Sequence, residues 1–201
     1  LAQFAYVASH DLRAPVRAMK SFAQILVDDY SGKLDEEADE HLGFIVDGAN
    51  RLESLINDLL AYSRIDTQGR RFEPVDCSAI FDQVKTDLIM DADHAEAEVT
   101  RDALPTLIAD GTQMGQLFQN LISNGLKFHG ESSPVVHMSA EKNEKEWLFS
   151  VRDNGIGIEP EHAERIFAMF QRLHTQEEYP GTGMGSAICK KIVERHGGKI
   201  W

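Results

Sequence analysis

Apolar residues in the first third of the chain recur in alternating steps of four and three. Leu12, Val16, Met19, Ala23, Leu26 and Tyr30 follow this rule, and Leu42, Ile45, Ala49, Leu52, Ile56, Leu59 and Ser63 follow it more strictly. Such steps keep one helix seam facing a partner. The pattern predicts two helices. Ser31-Gly32 would end the first, and Asp35-Glu36-Glu37 places acid where the dipole of the second favours it. A lone hairpin buries too little apolar surface to be stable. Two hairpins from two chains are therefore expected to form a four-helix bundle, a homodimer through residues 1–66. Packing of the hairpin on the second half of its own chain is the alternative.

The periodicity stops at Thr67-Gln68-Gly69-Arg70-Arg71, so residues 67–74 read as a linker and 75–201 as a second domain. There the pattern alternates. Ser78 could cap a helix over 78–94, with short strands at 98–100 and 106–109. Asp110 could cap a helix through 128. Residues 135–140 and 146–152 read as an antiparallel pair around Lys-Asn-Glu-Lys. Pro160 suits the start of a short helix to 167. A last helix over 186–196 would be stopped by Gly197-Gly198. The order predicts an α+β fold, a two-layer α/β sandwich following the hairpin, not βαβ repeats.

Charge narrows the function. With 20 basic and 33 acidic side chains, the net charge is −13. That excludes nucleic-acid binding through a basic face, yet allows a nucleotide site built from a few local donors and a metal. Cys77 and Cys189 match no metal-ligand spacing and read as free thiols of a reducing compartment. No apolar run approaches the ~18 residues that span a bilayer, so no direct membrane contact is expected and a cytoplasmic location is. The first residue sits inside a helical pattern without Met, which reads as a fragment of something longer.

Four stretches carry chemistry. Asn120, Asn124 and Lys127 share a helix face in Asn120-Leu-Ile-Ser-Asn124-Gly-Leu-Lys127-Phe128. An amide oxygen suits Mg²⁺, and a lysine one turn on can meet a phosphate. In Asp153-Asn-Gly155-Ile-Gly157, a carboxylate at a strand end can accept from an exocyclic amine, while the glycines admit a ring. Gly181-Thr-Gly183-Met-Gly185 opens onto a helix whose first N–H groups suit phosphate oxygens. Residues 171–180, with His174, Glu177, Glu178 and Pro180, read as a loop able to act as a lid. Finally, Ser9-His10-Asp11-Leu12-Arg13-Ala14-Pro15 sets His10 just outside the apolar seam, beside Asp11. A neutral imidazole is a competent nucleophile, and a carboxylate can hold one ring proton while the other nitrogen attacks.

Taken in this order, the motifs resemble the catalytic core of a sensor histidine kinase of the phytochrome-like type. His10 to Pro15 resembles the phosphoacceptor box, Asn120 to Phe128 the N box, and Asp153 to Gly157 the first glycine box. Ile166-Phe167-Ala-Met-Phe170 resembles the phenylalanine box, and Gly181 to Gly185 the second glycine box. The resemblance implies that His10 accepts phosphate and Asp11 activates it. It implies an ATP site with Asn124 on Mg²⁺, Asn120 and Lys127 on phosphates, Phe128 near the base, and Asp153, Gly155 and Gly157 at adenine. Gly181, Gly183 and Gly185 would support the lid. The partner it implies is a response-regulator receiver domain, whose Asp would take the phosphoryl group.

There are departures. Ala14 stands where many relatives carry Thr or Asn, which implies weak phosphatase activity toward the regulator. Ser186 replaces the usual Leu, and Gly125 a common Ala, at a helix-propensity cost of ~1 kcal/mol. Chain end at Trp201 implies that closing strands are missing. Two other readings remain at this level. A hydrolytic ATPase of the gyrase and mismatch-repair type uses a Glu four residues before the metal Asn, where this chain has Asn120. A dimeric scaffold with a degenerate ATP site is what Ser186 would fit.

Overall fold

The computed structural model describes residues 2–90, 96–144, 146–175, 178–179 and 181–201, with side chains from residue 11 onward. The chain divides into two compact units, Leu1–Thr67 and Gln68–Trp201.

The first unit is an α-hairpin of α1 (Ala2–Tyr30) and α2 (Glu36–Thr67). The turn is built from its sequence. Gly32 takes a left-handed φ of 71°, which glycine adopts without a Cβ clash. Its N–H donates to Asp39 Oδ2 at 2.9 Å, and Asp35 Oδ1 accepts from the Ala38 N–H at 2.9 Å, capping α2. Val16, Ile56 and Leu60 form the hairpin core, each burial stabilising by roughly 1.5–3 kcal/mol. Lys20 and Glu53 pair across the helices at 2.8 Å, and Arg13 donates to Asn57 at 3.0 Å.

The structure splits each apolar seam. Val16 and Ala23 are buried, while Leu12, Met19 and Leu26 stay about half exposed. On α2, Ala49, Ile56 and Ser63 face inward, whereas Ile45 and Leu52 are exposed. One seam position meets the sister helix and the other is left open. Phe22 and Phe44 add to the open apolar surface.

The second unit contains β1 (Glu73–Asp76), α3 (Cys77–Ile89), β2 (Glu98–Arg101), β3 (Thr106–Ala109) and α4 (Gly111–Lys127). It continues with β4 (Val135–Asn143), β5 (Glu146–Asp153) and α5 (Gly185–Arg195). Strands β1 and β3 pair antiparallel, with Glu73 opposite Ala109. In the other sheet β2 runs parallel to β4, which pairs antiparallel with β5. Helix α4 forms part of the crossover between the parallel strands. Phe81 of α3, Phe118, Ile122 and Leu126 of α4, and Ile188 and Ile192 of α5 make one side of the core. Val99, Val136 and Met138 of the sheet make the other. This is the α+β arrangement expected.

Local differences have simple causes. Asp76, not Ser78, caps α3, its carboxylate accepting from the Ser78 and Ala79 N–H groups. Helix α3 stops at Ile89; residue 94, where the expected helix ended, lies outside the described residues. The short helix expected from Pro160 is two 3₁₀ turns, Pro160–His162 and Arg165–Phe167. Strand β1 had no periodic signal. Gly125 is explained by space: a Cβ there would lie 2.7 Å from Val136 Cγ2.

Candidate functional site

Helix α4 is the spine of the site. Asp110 caps its start, accepting from the Thr112 and Gln113 N–H groups. Its C-terminal turns carry Asn120, Asn124, Lys127 and, at the cap, Phe128, all half-buried. Strand β5 delivers Asp153 beside this end. Asp153 Oδ1 accepts from the Gly155 N–H at 2.8 Å, leaving its second oxygen for a donor, and the Ile156 N–H donates to the Phe128 carbonyl at 2.9 Å. No side chain fits at Gly155, because a Cβ would overlap the Phe128 carbonyl. Asn154 fastens the turn, accepting from the Val135 N–H and donating to the Ser133 carbonyl.

The second glycine stretch closes on the same helix. A Cβ at Gly181 would lie 2.7 Å from Lys127 Nζ, and one at Gly185 would lie 3.7 Å from Asn120 Oδ1. Gly183, with φ of 74°, passes so near the Gln171 carbonyl that a Cβ would sit 2.7 Å from it. Opposite stands Phe170, the one described non-glycine residue with positive φ, at 62°. A left-handed conformation costs an ordinary residue roughly 1–2 kcal/mol, and here it turns the chain into the loop.

Described parts of that loop cover Phe128. Tyr179 packs on its ring at 5.0 Å between centroids, and His174 touches both rings at 6.2 and 5.3 Å. Arg172 holds the Tyr179 carbonyl at 2.8 Å. Tyr179 and Arg172 gave no signal in the sequence beyond their place in a polar loop before a glycine stretch. Glu178 accepts from Thr175, whereas Glu177 and Pro180 lie outside the described residues.

The electrostatics suit an anion. Lys127 Nζ sits 4.4 Å from the centroid of the Phe128 ring. Burial, and then the nearby Arg172 guanidinium, hold its ammonium below lysine's usual range, so a phosphate would relieve both penalties. Asn120 Nδ2 is buried without a hydrogen-bond partner. Its amide lies against the Cys189 thiol, a weak acceptor, which burial pushes up to about 12. The Asn120 atom nearest the glycine stretch is its amide oxygen, which lies beside Gly185. Lys127, Asp153 and the two glycine stretches therefore fit a phosphate-bearing nucleotide. Gly157 takes φ of 75° and is exposed. Cys77, buried and pushed up to about 11, is inert as a nucleophile.

The candidate acceptor belongs to the other unit. His10 falls within α1, its side chain outside the described residues; Asp11 and Ala14 are exposed on the same helix. The nucleotide candidates are thus brought together in the second unit, whereas His10 and Asp11 belong to the first.

The His Kinase A (phospho-acceptor) domain family matches residues 1–68. The histidine kinase-, DNA gyrase B-, and HSP90-like ATPase family matches residues 109–201. Cyanobacterial phytochrome A of Nostoc sp. is 50% identical over 201 residues, all of this chain and 26% of the relative. The phytochrome-like protein Cph1 of Synechocystis sp. is 45% identical, over all of this chain and 27% of the relative. The chain thus spans about a quarter of the length of these curated relatives. Among solved structures, full-length ShkA in complex with AMPPNP superposes with a TM-score of 0.69 at 27% identity, covering 97% of this chain and 41% of that one.

Proposed function

The chain belongs to the sensor histidine kinases, and from that premise we propose that it phosphorylates itself on His10 from Mg·ATP and hands the phosphoryl group to an aspartate of a receiver domain. The observation that supports this most is the meeting of Lys127, Asn120, Asp153 and the glycine stretch in one cradle. A helical unit separate from that cradle carries a histidine beside a carboxylate.

Phosphoryl transfer needs positioning and charge neutralisation more than covalent chemistry from the protein. Mg²⁺, when bound, would neutralise phosphate charge, with Asn124 as its ligand. Lys127 and the first N–H groups of α5 would meet phosphate oxygens. The free oxygen of Asp153 would accept from the adenine amine, with Gly155 and Gly157 letting the ring approach, and Phe128 beside it. Asp11 would hold the proton on one His10 nitrogen while the other attacks the γ-phosphorus. An N–P bond forms, the bond to the bridging oxygen breaks, and ADP leaves with that electron pair.

A second copy of the chain is the proposed partner of residues 1–66. Leu12, Met19, Leu26, Ile45 and Leu52 are the seam positions left open in one hairpin, and another hairpin would cover them. Ala14 has no hydrogen-bonding group to orient a water, so dephosphorylation of the regulator would be slow. No described helix is long and apolar enough to cross a membrane.

Incubation with γ-labelled ATP and Mg²⁺ tests the reading. Label should enter the chain, resist alkali and be lost in acid. His10→Gln should take up none yet bind ADP as before. Label persisting on that variant would place the acceptor elsewhere.

A further inference from the structure

The segment that follows α2 is gripped by the second unit. The Arg70 N–H donates to Asp110 Oδ2 at 2.6 Å, and the Arg70 carbonyl accepts from Arg195 Nη2 at 3.0 Å. The Phe72 ring stacks on His196 at 4.6 Å and 10°, with the Arg195 guanidinium 4.9 Å from the same ring. Gly69 lies so close to that guanidinium that a Cβ would overlap it. Strand pairing takes over at Glu73.

The groups doing the gripping are themselves fixed. Asp110 is 1% exposed and caps α4. Arg195 Nη1 donates to Asp110 Oδ2 at 3.2 Å and to Gln113 Oε1 at 2.8 Å. His196 Nε2 accepts from the Asp110 N–H at 3.1 Å, so its proton is on Nδ1, where it goes to the Ile192 carbonyl at 2.8 Å. A buried carboxylate, a guanidinium and an imidazole from two distant stretches of the unit thus converge on Gly69, Arg70 and Phe72. The hydrogen bonds and ring contacts described for Asp110, Arg195 and His196 do not involve the nucleotide candidates.

We propose that Arg195 is a positioning residue for phosphoryl transfer: by holding Gly69 to Phe72 against the ATP unit, it confines the pivot between that unit and the His10 helix to Thr67 and Gln68. The proposal rests on the kinase reading above. A short pivot keeps the nucleotide at high effective concentration around its acceptor, and that concentration falls roughly as the −3/2 power of linker length. Releasing residues 69–72 lengthens the free pivot from two residues to six, for an expected loss of about fivefold.

The test uses the whole chain as wild type, Arg195→Gln and Gly69→Ala. The second variant displaces the guanidinium from the linker side and leaves the Asp110 cap in place. Three quantities are measured: amide hydrogen exchange over 69–72, ADP affinity, and the first-order rate of His10 labelling at saturating ATP. Both variants should exchange faster in that segment, label more slowly by up to about fivefold, and bind ADP unchanged. Unchanged exchange would overturn the clamp. Faster exchange with an unchanged labelling rate would overturn its positioning role, as would ADP affinity falling in step with the rate. A wild type that takes up no label would sink the kinase reading, and the transfer role with it, while exchange would still report on the clamp.

Discussion

The two units dispose of their apolar residues in opposite ways. In the second, Phe118, Ile122, Leu126, Met138 and Ile188 are almost completely enclosed by their own chain. In the hairpin, only the Val16, Ala23, Ala49 and Ile56 side of the seam is enclosed, and Leu12, Met19, Phe22, Phe44, Ile45 and Leu52 face outward. The physical reason is dimensional. Two helices can cover each other along a single line, whereas three helices over a sheet enclose a volume. The difference teaches that the second unit builds an enclosed core from its own elements, while the hairpin leaves one seam for another surface.

The largest effect expected from breaking this contrast comes from charging the open seam. Met19→Glu with Leu52→Glu would put four carboxylates into the dimer's bundle, weakening association by about a thousandfold or more. Both sites are half exposed in the single hairpin, so melting of the second unit should not move. Light scattering at micromolar concentration reads the mass, and an unaltered dimer would sink the assignment of that seam.

Next comes the enclosed core. Ile122→Ala should cost about 2–5 kcal/mol of the second unit's stability without changing the dimer mass. Denaturant unfolding measures it, and a loss shared equally by both units would show that they are not independent in this sense.

A smaller change sharpens the point about packing. Gly125→Ala gains ~1 kcal/mol of helix propensity but forces a Cβ against Val136, and overpacking costs about 1–3 kcal/mol. A net loss of about 1 kcal/mol, or about 3 °C in Tm, is expected. A rise in Tm would show that Val136 gives way freely.

The smallest effect is a fraction of a proton. Lys127 is held below its ordinary 10.5 by burial and Arg172, so at alkaline pH part of the free protein carries it neutral. A bound phosphate favours the charged form, so ADP binding should take up protons between the lowered value and the lysine's value in the complex. Affinity should then fall as pH rises through that window. Calorimetry in two buffers of different ionisation enthalpy reads the uptake, which Lys127→Met should remove.

Part of this molecule was legible in one dimension. The steps of three and four define both hairpin helices, Gly32 and Asp35 punctuate them, and Asp110 caps α4 where its sequence position says it should. The spacing of Asn120, Asn124 and Lys127 puts them on one side of a helix whatever surrounds it. These are local facts, set by backbone geometry over a few residues. Strand β1, Glu-Pro-Val-Asp, has no such signature, because only its pairing with β3 makes it a strand.

The chain alone therefore determined the two hairpin helices, the Asp110 cap of α4 and the shared face of Asn120, Asn124 and Lys127. Tertiary structure decided which half of each seam is enclosed, since that depends on where the second helix lies. It decided that Gly125 is required by Val136, that Tyr179 and His174 cover Phe128, and that Arg195 reaches back to Arg70 across the length of a domain. Each of these is a contact between residues distant in sequence, and no short-range periodicity encodes which distant residues meet.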